Sequence, residues 1–333
     1  MSEKDREGLL YKVARLYYEQ GMKKFEIASE IKHSPTQVAN LLREAKDAGI
    51  VRIVVNLPRV QDLQDKLKTK FGLKDVIVVP EEKDCALLLK LLGKAAAEYF
   101  EESVASGMSV AVGGGYLVYE MINALPDQRR DIDIYPAAII GRGPVIAHID
   151  PMILVTLLWA KSGREQGRAH YVTVLPPEKG STREEVQKEY KQFHKTRKKV
   201  SELFEQMKDV DVVFASIGGL EVSSEYRSAT SYATKNLLGE MSLTEEDLRA
   251  EGAVGDIAYS FFNEKGETKP EWNFFLSLGV KHLKQIAADP NKRVVVVVGG
   301  YKIAALKAVL RGKLCNVLIT DAQAAETVLD EKP

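Results

Sequence analysis

An excess of charge of either sign is missing from this chain: 47 Lys and Arg balance 47 Asp and Glu in 333 residues. No global field therefore draws it to nucleic acid, and any such affinity has to come from a local patch. Cysteine is scarce. Cys85 and Cys315 lie far apart without a CxxC or Cys/His companion, which argues against a disulfide framework or a structural metal. No uninterrupted apolar run approaches ~18 residues, and the opening MSEKDREG is polar and acidic, unlike a secretory leader. A soluble, cytoplasmic protein that does not enter a membrane is expected. Catalytic signatures are also lacking. The five histidines, His33, His148, His170, His194 and His282, show no HExxH spacing, and no GxSxG turn occurs.

What is present is concentrated first in KKFEIASEIKHSPTQVANLLREA. Phe25, Ile27, Ala28 and Ile31 are spaced three and four apart, so they predict one buried face of a short helix. Ser34 supplies a capping oxygen and Pro35 suits a first helical turn, which starts a second helix. Val38, Leu41, Leu42 and Ala45 turn back on the first. This is helix-turn-helix spacing. Thr36, Gln37, Asn40 and Arg43 remain outward and, with Ser34, are the candidate DNA contacts. The Gln and Asn amides offer a donor and an acceptor together, matching adenine in the major groove, and Arg suits guanine or phosphate. The competing view is a solvated face on an ordinary helical hairpin. Residues 1–59 carry eleven Lys or Arg against eight Asp or Glu, a mild excess of the right sign.

Leu9, Leu10, Val13, Ala14, Leu16 and Tyr17 predict a helix ahead of this pair that stops near Gly21. After it, Ile50 to Val55 is β-prone and Pro58 closes the unit. From Val60 to Phe71 a charged amphipathic helix carries a Leu63, Leu67, Phe71 stripe. It serves as a linker or pairs with a second copy, the latter being preferred because such DNA readers work on paired half-sites.

Beyond Gly72 short apolar runs alternate with helical stretches. Asp75–Pro80, Ser109–Gly113, Ile134–Ile140, Tyr171–Leu175, Asp211–Gly218, Val294–Val298 and Asn316–Thr320 predict strands. Helices are expected at Ala86–Ser106, Leu117–Leu125, Pro151–Lys161, Glu184–Lys208, Val280–Ala288 and Ile303–Leu310. Runs apolar on both faces fit an open, mostly parallel α/β sheet covered by helices. The expected division is a helix-turn-helix domain at 1–58, a linker or oligomerisation helix at 59–72 and a ligand-binding domain at 73–333.

Glycine clusters at the strand ends: Gly113-Gly114-Gly115, Gly141 and Gly143 around Arg142, Gly218-Gly219, and Gly299-Gly300 with Lys302 close by. Such turns let backbone N–H groups approach a ligand, and a helix start favours phosphate or carboxylate. Packing alone is the other explanation for any one of them. Asp256, in GAVGDIAYSFFNEKGE, is read as an acceptor for ligand hydroxyls. The candidate ligand residues are thus Gly113, Gly114, Gly115, Gly141, Arg142, Gly218, Asp256, Gly299, Gly300 and Lys302.

These marks, with LLGKAAAEYF before SVAVGGG, DVVFASIG, and VVVVVGG followed by LRGKLCNVLITDAQAAETVL, resemble the SorC family of sugar-responsive bacterial transcriptional regulators over nearly the whole length. The resemblance implies a DNA-binding head on an effector domain similar in fold to sugar-phosphate isomerases, assembled as a homodimer or homotetramer and answering to a sugar or sugar phosphate. No catalytic residue and no cofactor are expected, because the scattered histidines carry no catalytic spacing. Three positions depart from the family: Leu117 stands where threonine is common, Ile303 where lysine is common, and Asn40 where arginine is expected. An isomerase-like enzyme with a DNA-binding head is the main alternative. An oxidoreductase is a weaker one, because GGGYLVYE lacks the GxGxxG order.

Overall fold

The computed structural model describes residues 3–51, 59–140, 150–163, 167–172, 174, 178, 180–220, 238, 243–300 and 302–330. The chain forms two compact units, Met1–Asn56 and Leu57–Pro333. The first holds α1 (Glu3–Tyr18), α2 (Lys24–Glu30) and α3 (Pro35–Asp47). Leu10, Val13, Ala14 and Leu16 of α1 close over Ile27 and Ala28 of α2 and Val38, Leu41, Leu42 and Ala45 of α3. Phe25 departs from expectation: it is 58% exposed. It occupies the first turn of a seven-residue helix whose contact with the core is made by Ile27 and Ala28. The strand expected at Ile50–Val55 lies mostly outside the described residues.

The second unit is an α/β sheet. Its strands are β1 (Asp75–Val79), β2 (Ser109–Val112), β3 (Asp133–Pro136), β5 (Arg168–Ala169), β6 (Val212–Gly219), β10 (Arg293–Val297) and β11 (Val317–Asp321). They pair in parallel in the order β1-β11-β10-β6-β2-β3-β5. Alternate residues enter opposite layers. Val213, Ala215, Val294, Val296 and Leu318 face one layer with α4 (Gln61–Phe71), while Val212, Phe214, Val295, Val297, Val317 and Ile319 face the other with α5 (Cys85–Ser103) and α6 (Tyr116–Ala124). That two-sided burial is why these strands read as continuous apolar runs.

Several elements differ from the expected ones. The run Ile134–Ile140 splits, β3 staying in the main sheet while β4 (Ala138–Ile139) pairs antiparallel with β9 (Leu276–Ser277). Among the described residues of Tyr171–Leu175 there is no strand; the edge strand is β5, two residues long, and Tyr171 is exposed. The expected helix over Glu184–Lys208 breaks into α8 (Arg183–Thr196) and α9 (Lys198–Met207) at Arg197, whose backbone is extended. The hairpin of β7 (Ala253–Ile257) and β8 (Ser260–Asn263) continues from β6 antiparallel. Further helices are α7 (Pro151–Lys161), α10 (Glu245–Ala250), α11 (Gly279–Ala288), α12 (Ile303–Arg311) and α13 (Ala322–Leu329).

Edge strand β5 is pinned by ion pairs. Arg168 Nε and Nη2 donate to the two Asp133 oxygens at 2.7 and 2.6 Å, and His170, stacked on Tyr135, meets Asp133 Oδ1 at 2.6 Å. Arg168 foremost, then His170, hold the Asp133 pKa down to about 2 against partial burial. A depressed carboxylate stabilises above its unfolded pKa of ~3.9 and loses that contribution as pH falls through the folded value. Asp133→Asn is expected to lower the melting temperature at neutral pH and to flatten its decline between pH ~4 and ~2. Melting curves across that window check this, and an unchanged acid decline would contradict it.

Candidate functional sites

Helix α3 starts as its residues dictate. Ser34 Oγ accepts from Gln37 N–H at 3.2 Å and Gln37 Oε1 accepts from Ser34 N–H at 2.8 Å, a reciprocal capping box with Pro35 in the first turn. Lys32, at φ +55°, makes the left-handed turn between α2 and α3. Ser34, Thr36, Gln37, Asn40 and Arg43 are all exposed. Asn40 Oδ1 accepts from Arg43 Nη2 at 2.9 Å. The amide oxygens of Gln37 and Asn40 thus each accept one hydrogen bond from within the head, which leaves each oxygen its second acceptor site. Beside the start of α3, Tyr17, Lys23, Lys24, Phe25 and Pro35 line an open cleft of about 610 Å³. Lys23, Lys24 and Lys46 sit 6.0, 5.9 and 6.0 Å from the rings of Phe25, Tyr17 and Tyr18.

In the sheet, chain order reverses between β2 and β6: β2 leads to β3 and β5 on one side, and β6 leads to β10 and β11 on the other. The crevice outside the carboxyl ends of β2 and β6 is thus a topological switch point, the usual ligand position in open α/β sheets. Gly113, Gly114 and Gly115 follow β2 there, and Gly218 is the second-last residue of β6. Gly299 and Gly300 follow β10, the next strand along. Gly141 and Arg142 lie outside the described residues.

The strand-end glycines make room for side chains from neighbouring strands. A Cβ on Gly115, whose φ is +126°, would stand 2.2 Å from Ser216 Oγ, and one on Gly218 would stand 2.0 Å from Asp256 Oδ1. A Cβ on Gly300 would meet Gln323 Oε1 at 3.0 Å and Asp321 Oδ1 at 3.2 Å. These contacts gather Ser216, Asp256, Asp321 and Gln323 at the rim. Ser216 Oγ donates to Gly114 O at 3.0 Å, bringing a hydroxyl to the turn where Leu117 is buried and offers none.

Asp256 is placed by β7, opposite Gly218 in the antiparallel register. The adjoining hairpin turn, Ala258 and Tyr259, has φ of +48° and +60° at two residues that rarely adopt that region, so strain sits next to this acid. Lys302 is buried and its Nζ donates to Ile217 O, so it flanks the same end of β6. The structure brings Gly113, Gly114, Gly115, Gly218, Asp256, Gly299, Gly300 and Lys302 to one rim.

Asp321 is the acid to which the sequence pattern assigns no role. It is 1% exposed at the end of β11, and Oδ1 accepts from Ala324 N–H at 3.0 Å to cap α13. Oδ2 is buried without a hydrogen-bond partner among the described residues. Burial pushes its pKa up, against the pull of nearby peptide groups including Ala324, Gly300 and Gln323. Its signal was the capping Asp directly after an apolar strand. Among the described histidines, none joins this group: His33 bonds Ile31 O in the head, His170 meets Asp133, and His194 and His282 contact Phe204. Among the described residues no His, Cys, Asp and Glu cluster suits a metal ion, and no helix is long and apolar enough to cross a membrane.

A family model for a sugar-binding domain matches residues 56–330. The chain belongs to the SorC family. It is 25% identical to the deoxyribonucleoside regulator of Bacillus subtilis (strain 168), covering 99% of each chain. It is 24% identical to the sorbitol operon regulator of Klebsiella pneumoniae, covering 99% of this SorC-family chain and 100% of that one. The solved full-length sorbitol operon regulator SorC from Klebsiella pneumoniae shares the fold with a TM-score of 0.74 at 22% identity, over 97% of this chain and 99% of that one.

Proposed function

We propose that this SorC-family protein is a DNA-binding transcriptional regulator whose hold on its operator is set by a sugar or sugar phosphate. The head, α1 to α3, binds duplex DNA, and the β2/β6 crevice binds the effector. The observation that carries this is the gathering of Asp256, Lys302 and the strand-end glycines at the switch point, in a chain that also bears a capped helix-turn-helix. Asp256 accepts from effector hydroxyls, as a carboxylate suits a polyol, and Lys302 and Arg142 meet a phosphate if one is present. The sugar-binding domain match supports the effector class, and the names of the regulators above support control of sugar or nucleoside genes.

Regulation follows from linkage. An effector that binds one arrangement of a homodimer or homotetramer more tightly shifts the population of heads able to span two half-sites. The protein works without catalysis and without a cofactor. The test is selection of bound duplexes from genomic DNA, with mass spectrometry of any small molecule retained by the purified protein, which is then added back. DNA affinity should fall with salt at a slope of about −0.9 per phosphate neutralised, and the recovered molecule should alter it. A salt-independent affinity, or turnover of the recovered molecule in the absence of DNA, would count against the proposal.

A further inference from the structure

Helix α1 buries Leu10, Val13, Ala14 and Leu16 in the head and carries a second stripe on its other side. Glu7, Tyr11, Arg15 and Tyr18 follow one another at steps of four, four and three, so they share one face, and all four are exposed, Tyr11 at 57% and Tyr18 at 41%. Gly8, seven residues before Arg15, lies on the same side. A glycine inside a helix costs stability relative to alanine, yet here φ is not positive and a Cβ would meet nothing within 4 Å, so neither the backbone nor the packing of the head asks for it. The charges are in the same position. Arg6 pairs with Glu44 and Lys12 with Glu30, tying α1 to α3 and α2, whereas among the described residues Glu7 and Arg15 have no ion-pair partner. Tyrosine and arginine around a glycine have the composition of an interface.

We infer that the heads associate in pairs, α1 of one copy lying antiparallel on α1 of a second copy about a two-fold axis at Tyr11. A two-fold contact needs a patch that is complementary to itself, and this one is. With Tyr11 on the axis, Glu7 and Arg15 lie four residues to either side, so Glu7 of each copy meets the partner's Arg15 and two equivalent ion pairs form. Gly8 leaves room there for the arginine stem. A parallel arrangement would set like charges face to face. The inference rests on the DNA-binding reading above for the role of the pair: two joined heads present α3 to two half-sites at a fixed spacing. Exposed ion pairs are individually weak, so the contact forms between heads already held in one assembly, where their effective concentration is high.

The experiment uses the full chain and the tightest-binding duplex recovered from a random pool. Glu7→Arg should weaken binding roughly three- to tenfold although it adds positive charge to the head, because it sets like charges against each other across the axis, and Arg15→Glu should weaken it as well. Glu7→Arg combined with Arg15→Glu should return to within about twofold of the wild type. In a Cys85→Ser background, which removes the part-exposed native thiol and leaves only the buried Cys315, Tyr11→Cys should link two chains under mild oxidation. Lys12→Cys, turned off the stripe, should not. Tighter or unchanged binding by Glu7→Arg, with additive behaviour in the double variant, would place α1 against phosphate or solvent and overturn the pairing, as would equal linking at both cysteines or none at either. If the wild type binds no duplex while Tyr11→Cys still links, the DNA-binding reading falls and the pairing of heads stands.

Discussion

Gly218→Ala is expected to abolish the effector response while leaving DNA binding without effector close to normal. The added methyl would stand 2.0 Å from Asp256 Oδ1. The group that has to move is the end of a short side chain, so strain of about 1–3 kcal/mol is absorbed by turning the carboxylate away rather than by unfolding the sheet. A charged hydrogen bond to an effector hydroxyl contributes ~1.5–3 kcal/mol, so its loss weakens effector binding roughly ten- to a hundredfold. Asp256→Ala should behave alike, and adding Gly218→Ala to it should cost less stability than Gly218→Ala costs alone, without restoring the response. That non-additivity is the signature of two residues acting through one carboxylate. If Gly218→Ala and Asp256→Ala both respond at the wild-type effector concentration, Asp256 does not hold the effector.

The same pair shows how far the sequence can be read. The parallel sheet is legible because strands buried on both faces need uninterrupted apolar residues, and Val294–Val298 or Val212–Ile217 have no other use for them. The strand-end glycines are legible as turns, but their cause is not. Gly115, Gly218 and Gly300 are set by side chains that arrive from another strand, and that depends on register across the sheet. Asp321 is missed for the same reason: only pairing of β11 beside β10 puts it against Gly300. Tyr171–Leu175 has strand-like residues, yet pairing with β3 ends at Ala169, so propensity is overridden by the sheet edge. At Arg197 neither Pro nor Gly announces the break between α8 and α9. There Ser201 Oγ donates to His194 O at 2.6 Å across the bend, a contact that no periodicity encodes. In the head, the apolar spacing predicts Ile27 and Ala28 correctly and Phe25 wrongly, because α2 is too short for its first turn to reach the core.

The second large effect is expected from Leu67→Ala, and it decides the role of α4. The stripe of Leu63, Leu67 and Phe71 invites pairing with a second copy, but Leu63 and Leu67 are buried in the core of the second unit, Leu67 at 0% exposure, with Phe71 packed at its border. The helix is also tied to the sheet by hydrogen bonds. Val60 N–H donates to Val78 O at 2.9 Å, and the buried Gln64 side chain accepts from Val78 N–H at 3.0 Å. Because β1 is the outermost strand on that side, these bonds satisfy backbone groups that an open edge would offer to another chain. The helix is thus an edge cover. Truncating Leu67 removes a fully buried side chain and should cost about 2–5 kcal/mol of the second unit's stability. The urea midpoint should fall accordingly, while light scattering of the folded protein returns the wild-type mass, since the buried Leu63 and Leu67 stripe is not open to a second copy. A smaller mass with an unshifted urea midpoint would return α4 to the role of an oligomerisation helix.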